Sequence, residues 1–111
     1  MSYSSYLENL FNQIKDRSKN LDPSKSYTAY LAGLTSEAVS KKLMEEAFEL
    51  SIANIEMQYG KKREELIGEA ADVIYHLMAL IAIKDIDLSE VVDELKKRGG
   101  VNKIDEINFK K

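Results

Sequence analysis

Residues that break helices are scarce in this chain. The one proline and the five glycines are Pro23, Gly33, Gly60, Gly68, Gly99 and Gly100. Proline and glycine are the residues that most often interrupt a helix, so long unbroken segments remain between them. In those segments apolar residues recur at steps of three and four, the spacing of one helix face. The sequence therefore predicts an all-α fold, an antiparallel bundle of four to five helices.

Helical spacing and capping residues predict where these helices lie. They are Tyr6 to Lys19, a short turn in YTAYLAGL after Ser26, a helix from Thr35 or Ser36 to about Tyr59, a helix from about Glu64 to Ile83, and a helix from Leu88 or Ser89 to Arg98. The connection GKKRE is short, so we expect the 35–59 and 64–83 helices to pack antiparallel. We assign residues 1–98 to one domain and residues 99–111 to a short C-terminal tail.

Charge and residue content exclude several kinds of site. The formal net charge of −3 gives no general attraction to nucleic acid or to an anionic membrane. Cysteine is absent, which excludes disulfides, thiolate zinc sites and a cysteine nucleophile. The N-terminal residues do not resemble a signal peptide, and the apolar run from Val73 to Ile83 is too short to span a bilayer. We expect a cytoplasmic protein that binds neither nucleic acid nor membrane.

Carboxylates interrupt the apolar faces of two predicted helices. In the 35–59 helix, MEEAFEL places Glu46 in an apolar position, with Glu49 three residues later. In the 64–83 helix, Glu69 and Asp72 are also three apart, and no lysine or arginine occurs between positions 64 and 84. Residues three apart share a helix face. Burying carboxylates without a counter-charge is unfavourable, so a cation, protonation or a basic group of a partner must compensate.

A divalent cation meets this requirement most simply. If the two helices are antiparallel, their four carboxylates converge, and these are Glu46, Glu49, Glu69 and Asp72. Ligation by oxygen alone suits Mg²⁺, with Mn²⁺ as a second possibility, and such ions bind substrate phosphates. A solvated helix face is the usual interpretation of a single glutamate. That interpretation is weakened here because the polar strip of the 64–83 helix carries acids and no basic lysine or arginine, and its residues are Glu65, Glu69, Asp72 and His76.

Three residues near these acids have further interpretations. His76 is either a ligand or, as is commoner on a buried helix, a hydrogen-bonded core residue. Lys42 lies one turn before Glu46 and either contacts a phosphate or pairs with Glu45 or Glu46. Tyr75 is interpreted as a packing residue.

Two spaced motifs and four longer stretches resemble a known family. ExxE at Glu46–Glu49 followed by ExxD at Glu69–Asp72 resembles the signature of the all-α NTP pyrophosphatase (MazG-like) superfamily. Within it, SYTAYL, KLMEEAFEL, EAADVIYHLMALI and VVDELKKR resemble the phosphoribosyl-ATP pyrophosphatases of histidine biosynthesis. The resemblance runs from about Leu7 to Arg98.

This resemblance implies an enzyme and assigns its residues. The reaction would be Mg²⁺-dependent hydrolysis of phosphoribosyl-ATP between its α and β phosphates, giving phosphoribosyl-AMP and pyrophosphate, in a helical homodimer. Carried over residue by residue, the catalytic carboxylates are Glu45, Glu46 and Glu49, the metal ligands are Glu46, Glu49, Glu69 and Asp72, and the substrate-binding residues are Lys42 and His76. Which carboxylate takes the proton of the attacking water is left open.

Other functions remain open from the residues alone. One is a MazG-like pyrophosphatase for another nucleoside or deoxynucleoside triphosphate, and another is a non-catalytic nucleotide-binding or assembly module. A third is a di-iron bundle, but such sites use Glu-x-x-His motifs, whereas His76 follows Asp72 by four.

A homodimer is also expected from the residues themselves. Two apolar rows run along the 64–83 helix, which predicts that the helix is buried over most of its circumference. One small domain does not readily cover that much apolar surface, so a second copy is expected to cover the rest. The rows are Leu66, Ala70, Val73, Leu77 and Leu80, and Ile67, Ala71, Ile74, Met78 and Ile81.

Overall fold

The computed structural model describes residues 2–99, and this part of the chain is helical. The helices are α1 (Tyr3–Asn20), α2 (Tyr27–Ala32), α3 (Ser36–Glu56), α4 (Arg63–Ile83) and α5 (Leu88–Arg98), with a 3₁₀ turn at Met57–Tyr59 after α3. Residues 2–99 contain no β-strand. The all-α prediction is confirmed. Apart from Gly99, the predicted tail of residues 99–111 lies outside the described residues.

Side chains cap the start of most helices. Each capping oxygen accepts a backbone N–H of the first turn, and the capping residues are Ser2 for α1, Ser26 for α2, Thr35 for α3 and Asp87 for α5. A cap of this kind contributes about 1 kcal/mol. Because Ser2 caps α1, that helix begins at Tyr3, three residues before the predicted start at Tyr6.

The hydrophobic core lies where α1 and α2 meet the C-terminal half of α4. Its buried residues are Phe11, Ile14, Leu31, Met78, Ala79, Ile81 and Ala82. The alanines at 79 and 82 are completely buried, and their small side chains let α1 pack closely on α4. The core therefore anchors the C-terminal half of α4. Glu69 and Asp72 lie nearer the other end of that helix, outside this cluster.

Helices α3 and α4 share the most extensive helix contact in the described part of the chain. Lys84, which follows α4, donates a hydrogen bond to the hydroxyl of Ser36 at the start of α3, with an Nζ–Oγ distance of 2.7 Å. Near the other end, Lys61 pairs with Glu56 of α3 at 3.4 Å and with Glu65 of α4 at 3.8 Å. This register places the carboxylates of the two helices opposite one another.

Part of the α3–α4 pair is apolar and exposed. The prediction that the 64–83 helix is buried over most of its circumference is wrong for the single chain. The exposed large apolar residues of these two helices are Met44, Phe48, Ile52, Ile55, Ile67, Ile74 and Leu77. The discrepancy has a physical reason, since α1 and α2 pack only on the C-terminal half of α4. Met78 and Ile81 are buried there, whereas Ile67 and Ile74 of the same apolar row stay exposed.

Among the described helices, α4 is also long and apolar enough to cross a membrane by length and composition. It has 21 residues, and its most apolar window has a mean hydropathy of 1.7. A core helix of a soluble protein passes the same test. Glu69 and Asp72 lie within α4, and carboxylates are unfavourable inside a bilayer. That the chain does not enter a membrane stays a prediction.

Candidate active site

Three glutamates from two helices converge on one point. Glu46 and Glu49 of α3 and Glu69 of α4 each place one carboxylate oxygen so that the three atoms lie within 4.8 Å of one another. The two α3 residues are three apart, so both project from the same face of the helix. Opposite oxygens around Mg²⁺ are roughly 4 Å apart, since each bond is about 2.0–2.1 Å. The three carboxylates can therefore share one divalent cation.

Two of these oxygens are buried and lack a partner. The Oε2 atoms of Glu46 and Glu69 are inaccessible to solvent and form no hydrogen bond within residues 2–99. A buried carboxylate oxygen without a donor is unfavourable, and native structures contain few of them. A hard cation prefers a set of oxygen ligands such as this one. The residues present thus fit a divalent metal ion.

The pKa of Glu46 shows how concentrated the negative charge is. Burial raises this pKa most, and the charge of Glu49 raises it further. Asp72 and Glu45 add smaller contributions in the same direction, while His76 opposes them. A carboxylate in this setting gains stability by binding either a proton or a cation.

Glu69 responds to the same surroundings. Burial raises its pKa most, followed by the charge of Glu49 and a hydrogen bond with Glu49, which requires a proton on one of the two carboxyls. Asp72 and Glu46 contribute less. The carboxylates therefore act as one electrostatic unit across the α3–α4 contact.

An open groove of about 500 Å³ runs beside these carboxylates. Phe48, Ile52 and Ala53 form its apolar part, and Glu56 and Glu65 extend its acidic part toward the start of α4. Its described lining includes no lysine or arginine. A polyanionic ligand such as a nucleotide would be repelled here unless a bound cation offset the acids.

Both ring nitrogens of His76 are hydrogen-bonded. Nδ1 donates to the backbone carbonyl of Asp72 at 2.8 Å, because a carbonyl oxygen can only accept. Nε2 lies 2.8 Å from the hydroxyl of Tyr27, which donates to it when the ring is neutral. His76 is also buried, so the bonds match its interpretation as a hydrogen-bonded core residue. Its predicted contact with substrate stays a prediction.

The sequence reasoning missed two residues of α2 that lie beside the site. Tyr27 binds His76, and burial followed by the charge of Glu46 raises the pKa of the Tyr27 hydroxyl. Thr28 is completely buried and hydrogen-bonds to the hydroxyl of Tyr75, so Tyr75 does more than pack. Both residues belong to the stretch SYTAYL, which resembles the family sequence and could have indicated them. The spacing of the residues alone gives no such indication.

Lys42, Glu45 and Asp72 surround the three glutamates. Lys42 is half-buried on α3 and forms no ion pair with any described residue, so pairing with Glu45 or Glu46 is not seen. The exposed Glu45 acts electrostatically on Glu46. Asp72 is exposed at the groove, outside the set of oxygens within 4.8 Å, yet its charge reaches the cluster. The roles predicted for these residues stay predictions.

The chain is similar to one protein family over most of its length. The sequence model described as phosphoribosyl-ATP pyrophosphohydrolase matches residues 7–99. A phosphoribosyl-ATP pyrophosphatase of Roseobacter denitrificans is 44% identical over 100 residues, which cover 90% of each chain. The enzyme of that name from Metallosphaera sedula is 41% identical over 92 residues, 83% of this chain and 94% of the relative. The phosphoribosyl-ATP pyrophosphatase of Paramagnetospirillum magneticum is 39% identical over 103 residues, which cover 93% of this chain and 90% of the relative. The resemblance found in the motifs is thereby confirmed, and the chain belongs to the phosphoribosyl-ATP pyrophosphohydrolase family.

Proposed function

We propose that this chain hydrolyses phosphoribosyl-ATP to phosphoribosyl-AMP and pyrophosphate. Family membership and the name shared by its relatives support the substrate. The observation that carries the chemistry is the convergence of Glu46, Glu49 and Glu69 within 4.8 Å. An acidic site of this kind acts on phosphates through a bound cation, as the absence of basic residues in the described groove lining requires.

The cation we propose is Mg²⁺, with Mn²⁺ as the alternative hard ion. Glu46, Glu49 and Glu69 would hold it, and Asp72, whose charge acts on Glu69, would contribute through its carboxylate or through water. When bound, the ion supplies charge neutralisation of the phosphate oxygens and acidifies a bound water. The buried oxygens of Glu46 and Glu69 would gain their missing partner.

The reaction needs a proton acceptor, and the chain offers one beside the ligands. In hydrolysis, the water oxygen bonds to phosphorus, the bridging P–O bond between the α and β phosphates breaks, and a proton leaves the water. Glu45 is exposed next to Glu46, so it can take that proton while Glu46, Glu49 and Glu69 remain ligands. Lys42 has no ion pair among the described residues, which leaves its ammonium group available, and we propose that it contacts the departing phosphates.

The assembly we infer is a cytoplasmic homodimer of antiparallel bundles, each formed by the domain of residues 1–98. The exposed apolar residues of α3 and α4 support the dimer, since a second copy could cover them. The contacts of Ser36 with Lys84 and of Lys61 with Glu56 and Glu65 support the opposed directions of α3 and α4.

The test is pyrophosphate release by the purified chain with Mg²⁺, comparing phosphoribosyl-ATP with ATP, dATP, dUTP and dCTP at equal concentration. We expect phosphoribosyl-ATP to be preferred strongly. Preference for a plain nucleotide would contradict the substrate but leave the chemistry intact. No release from any of them would contradict the proposed enzyme.

A further inference from the structure

Two tyrosines of α2 form an exposed aromatic surface at the edge of the site. The ring centroids of Tyr27 and Tyr30 are 6.0 Å apart and their planes differ by 26°. Each residue is 44% exposed, so part of each ring is open to solvent. The residues are one helical turn apart on the same side of α2. We call this pair the tyrosine ledge.

Exposed tyrosines are common on protein surfaces, but this pair is held in place. The Tyr27 hydroxyl bonds to His76, and the Tyr27 ring meets the imidazole edge-on with centroids 5.5 Å apart. The neighbouring Thr28 is completely buried and bonds to Tyr75 of α4. Leu31 anchors the other end of α2 in the core. A surface fixed in this way loses little conformational entropy when a ligand binds.

The tyrosine ledge adjoins the acidic cluster. His76 links the two, since its ring bonds to the Tyr27 hydroxyl on one side and to the backbone of Asp72 on the other. The charges of Glu46 and Glu45 act on the Tyr27 hydroxyl, which places it within electrostatic reach of both carboxylates. One ligand can therefore contact the cluster with one end and the tyrosine ledge with the other.

We propose that the tyrosine ledge binds the purine base of the nucleotide substrate by stacking. This inference rests on the proposed function. The acidic cluster would bind phosphates through a cation, but it offers no matching surface for an uncharged aromatic base. The exposed rings of Tyr27 and Tyr30 supply that surface. Stacking of one base on an aromatic side chain changes affinity by roughly 5- to 150-fold.

Tyr30 is the residue to change, because its hydroxyl forms no hydrogen bond with another described residue and its ring is exposed. Tyr30→Leu removes the aromatic face, whereas Tyr30→Phe keeps it. We expect Tyr30→Leu to raise KM for phosphoribosyl-ATP about tenfold with kcat little changed, and Tyr30→Phe to behave as the unmodified protein. Tyr3→Leu, at a tyrosine that is 92% exposed on α1, is the surface control.

A phosphate-only ligand separates the two parts of the site. Inhibition by inorganic tripolyphosphate with Mg²⁺ should be the same for the unmodified protein, Tyr30→Leu and Tyr30→Phe, because this ligand has no base. An unchanged KM in Tyr30→Leu would overturn the proposal. So would a loss of tripolyphosphate affinity equal to the loss for phosphoribosyl-ATP, since Tyr30 would then act through the phosphates.

Equilibrium binding keeps the inference separate from the proposed activity. With Mg²⁺ present, AMP should bind the unmodified protein about tenfold more tightly than ribose 5-phosphate, and Tyr30→Leu should remove most of that difference. This holds even if the chain releases no pyrophosphate, in which case only the proposed function fails. Equal affinity for AMP and ribose 5-phosphate would contradict the tyrosine ledge as a base site.

Discussion

Glu46 of α3 and Glu69 of α4 face each other across the helix contact, and each buries its Oε2 atom without a hydrogen-bond partner in residues 2–99. Glu49 brings a third carboxylate oxygen within 4.8 Å of both residues. Such an arrangement disfavours the folded state unless a proton or a cation is bound. Without a bound proton or cation, the cluster therefore lowers the stability of the folded chain.

Removing one of these charges should separate activity from stability. We expect Glu46→Gln to lower Mg²⁺-dependent pyrophosphate release by about 100-fold or more, because a metal ligand is lost. In metal-free buffer its melting temperature should equal or exceed that of the unmodified protein, because repulsion from Glu49 is relieved. Glu8→Gln, on the exposed surface of α1, is the control and should change neither quantity. Full activity in Glu46→Gln would remove this residue from the site.

The cluster should also give the metal-free protein a distinctive pH dependence. The raised pKa values of Glu46 and Glu69 mean that the folded state binds more protons than the unfolded state above their usual pKa of 4.5. The free energy of unfolding should therefore fall as pH rises from 4.5 through the raised values. Asp22, Asp85 and Asp87 affect stability in a different pH range, because their pKa values are lowered. Their contribution to the free energy of unfolding is lost only as pH falls below 3.8.

Denaturant titrations in EDTA across these two windows would measure this dependence. The double variant Glu46→Gln with Glu69→Gln should flatten the slope above pH 4.5 and leave the acid limb unchanged. A slope above pH 4.5 that persists in the double variant would show that other groups cause it.

Mg²⁺ should stabilise the folded chain by mass action. At a concentration 100 times its dissociation constant, a ligand specific for the folded state raises the free energy of unfolding by about 2.7 kcal/mol. Thermal unfolding at increasing Mg²⁺ should show this rise, and EDTA should reverse it. Glu69→Gln should respond less at every concentration, because one of the three converging oxygens is changed. An equal response in that variant would place the binding ion elsewhere.

Disrupting the exposed apolar residues should dissociate the proposed homodimer. Phe48 is 66% exposed on α3 in the single chain. We expect the unmodified protein to sediment near twice its chain mass of 12.6 kDa, and Phe48→Asp to sediment as a monomer, because a buried unpaired charge opposes association. Phe48→Leu keeps an apolar side chain and should remain dimeric. A monomeric unmodified protein would refute the dimer.

The hydrogen bond between Thr28 and Tyr75 should contribute measurably to stability. Thr28→Val keeps the shape of a completely buried side chain but leaves the Tyr75 hydroxyl without this partner. We expect a loss of about 1–3 kcal/mol in the free energy of unfolding. Tyr75→Phe and the double variant complete a cycle in urea denaturation, with a coupling energy of about 0.5–1.5 kcal/mol. Additive losses would show that the two hydroxyls are independent.

The sequence by itself determined the helices and the family. Local signals suffice for both. Helix formation depends on spacing, caps and the scarcity of glycine and proline, and the family resemblance rests on short contiguous motifs. Every predicted helix is present. The largest differences are at the start of α1, which begins three residues early at Tyr3 under its Ser2 cap, and at the end of α3, where Met57–Tyr59 forms a 3₁₀ turn. The same periodicity showed that Glu46 occupies an apolar position and that Glu69 lies on a narrow polar strip of an otherwise apolar helix, and each is a property of one helix alone.

Only the tertiary structure decided which side chains meet. Tyr27 and His76 are 49 positions apart, and their hydrogen bond depends on how α2 packs on α4, which no local pattern encodes. Likewise, spacing treated Asp72 and Glu69 alike, whereas packing joined Glu69 to Glu46 and Glu49 and left Asp72 at the groove. Burial is a property of neighbouring elements, so the exposure of Ile67, Ile74 and Leu77 on α4 became visible only once α1 and α2 were in place.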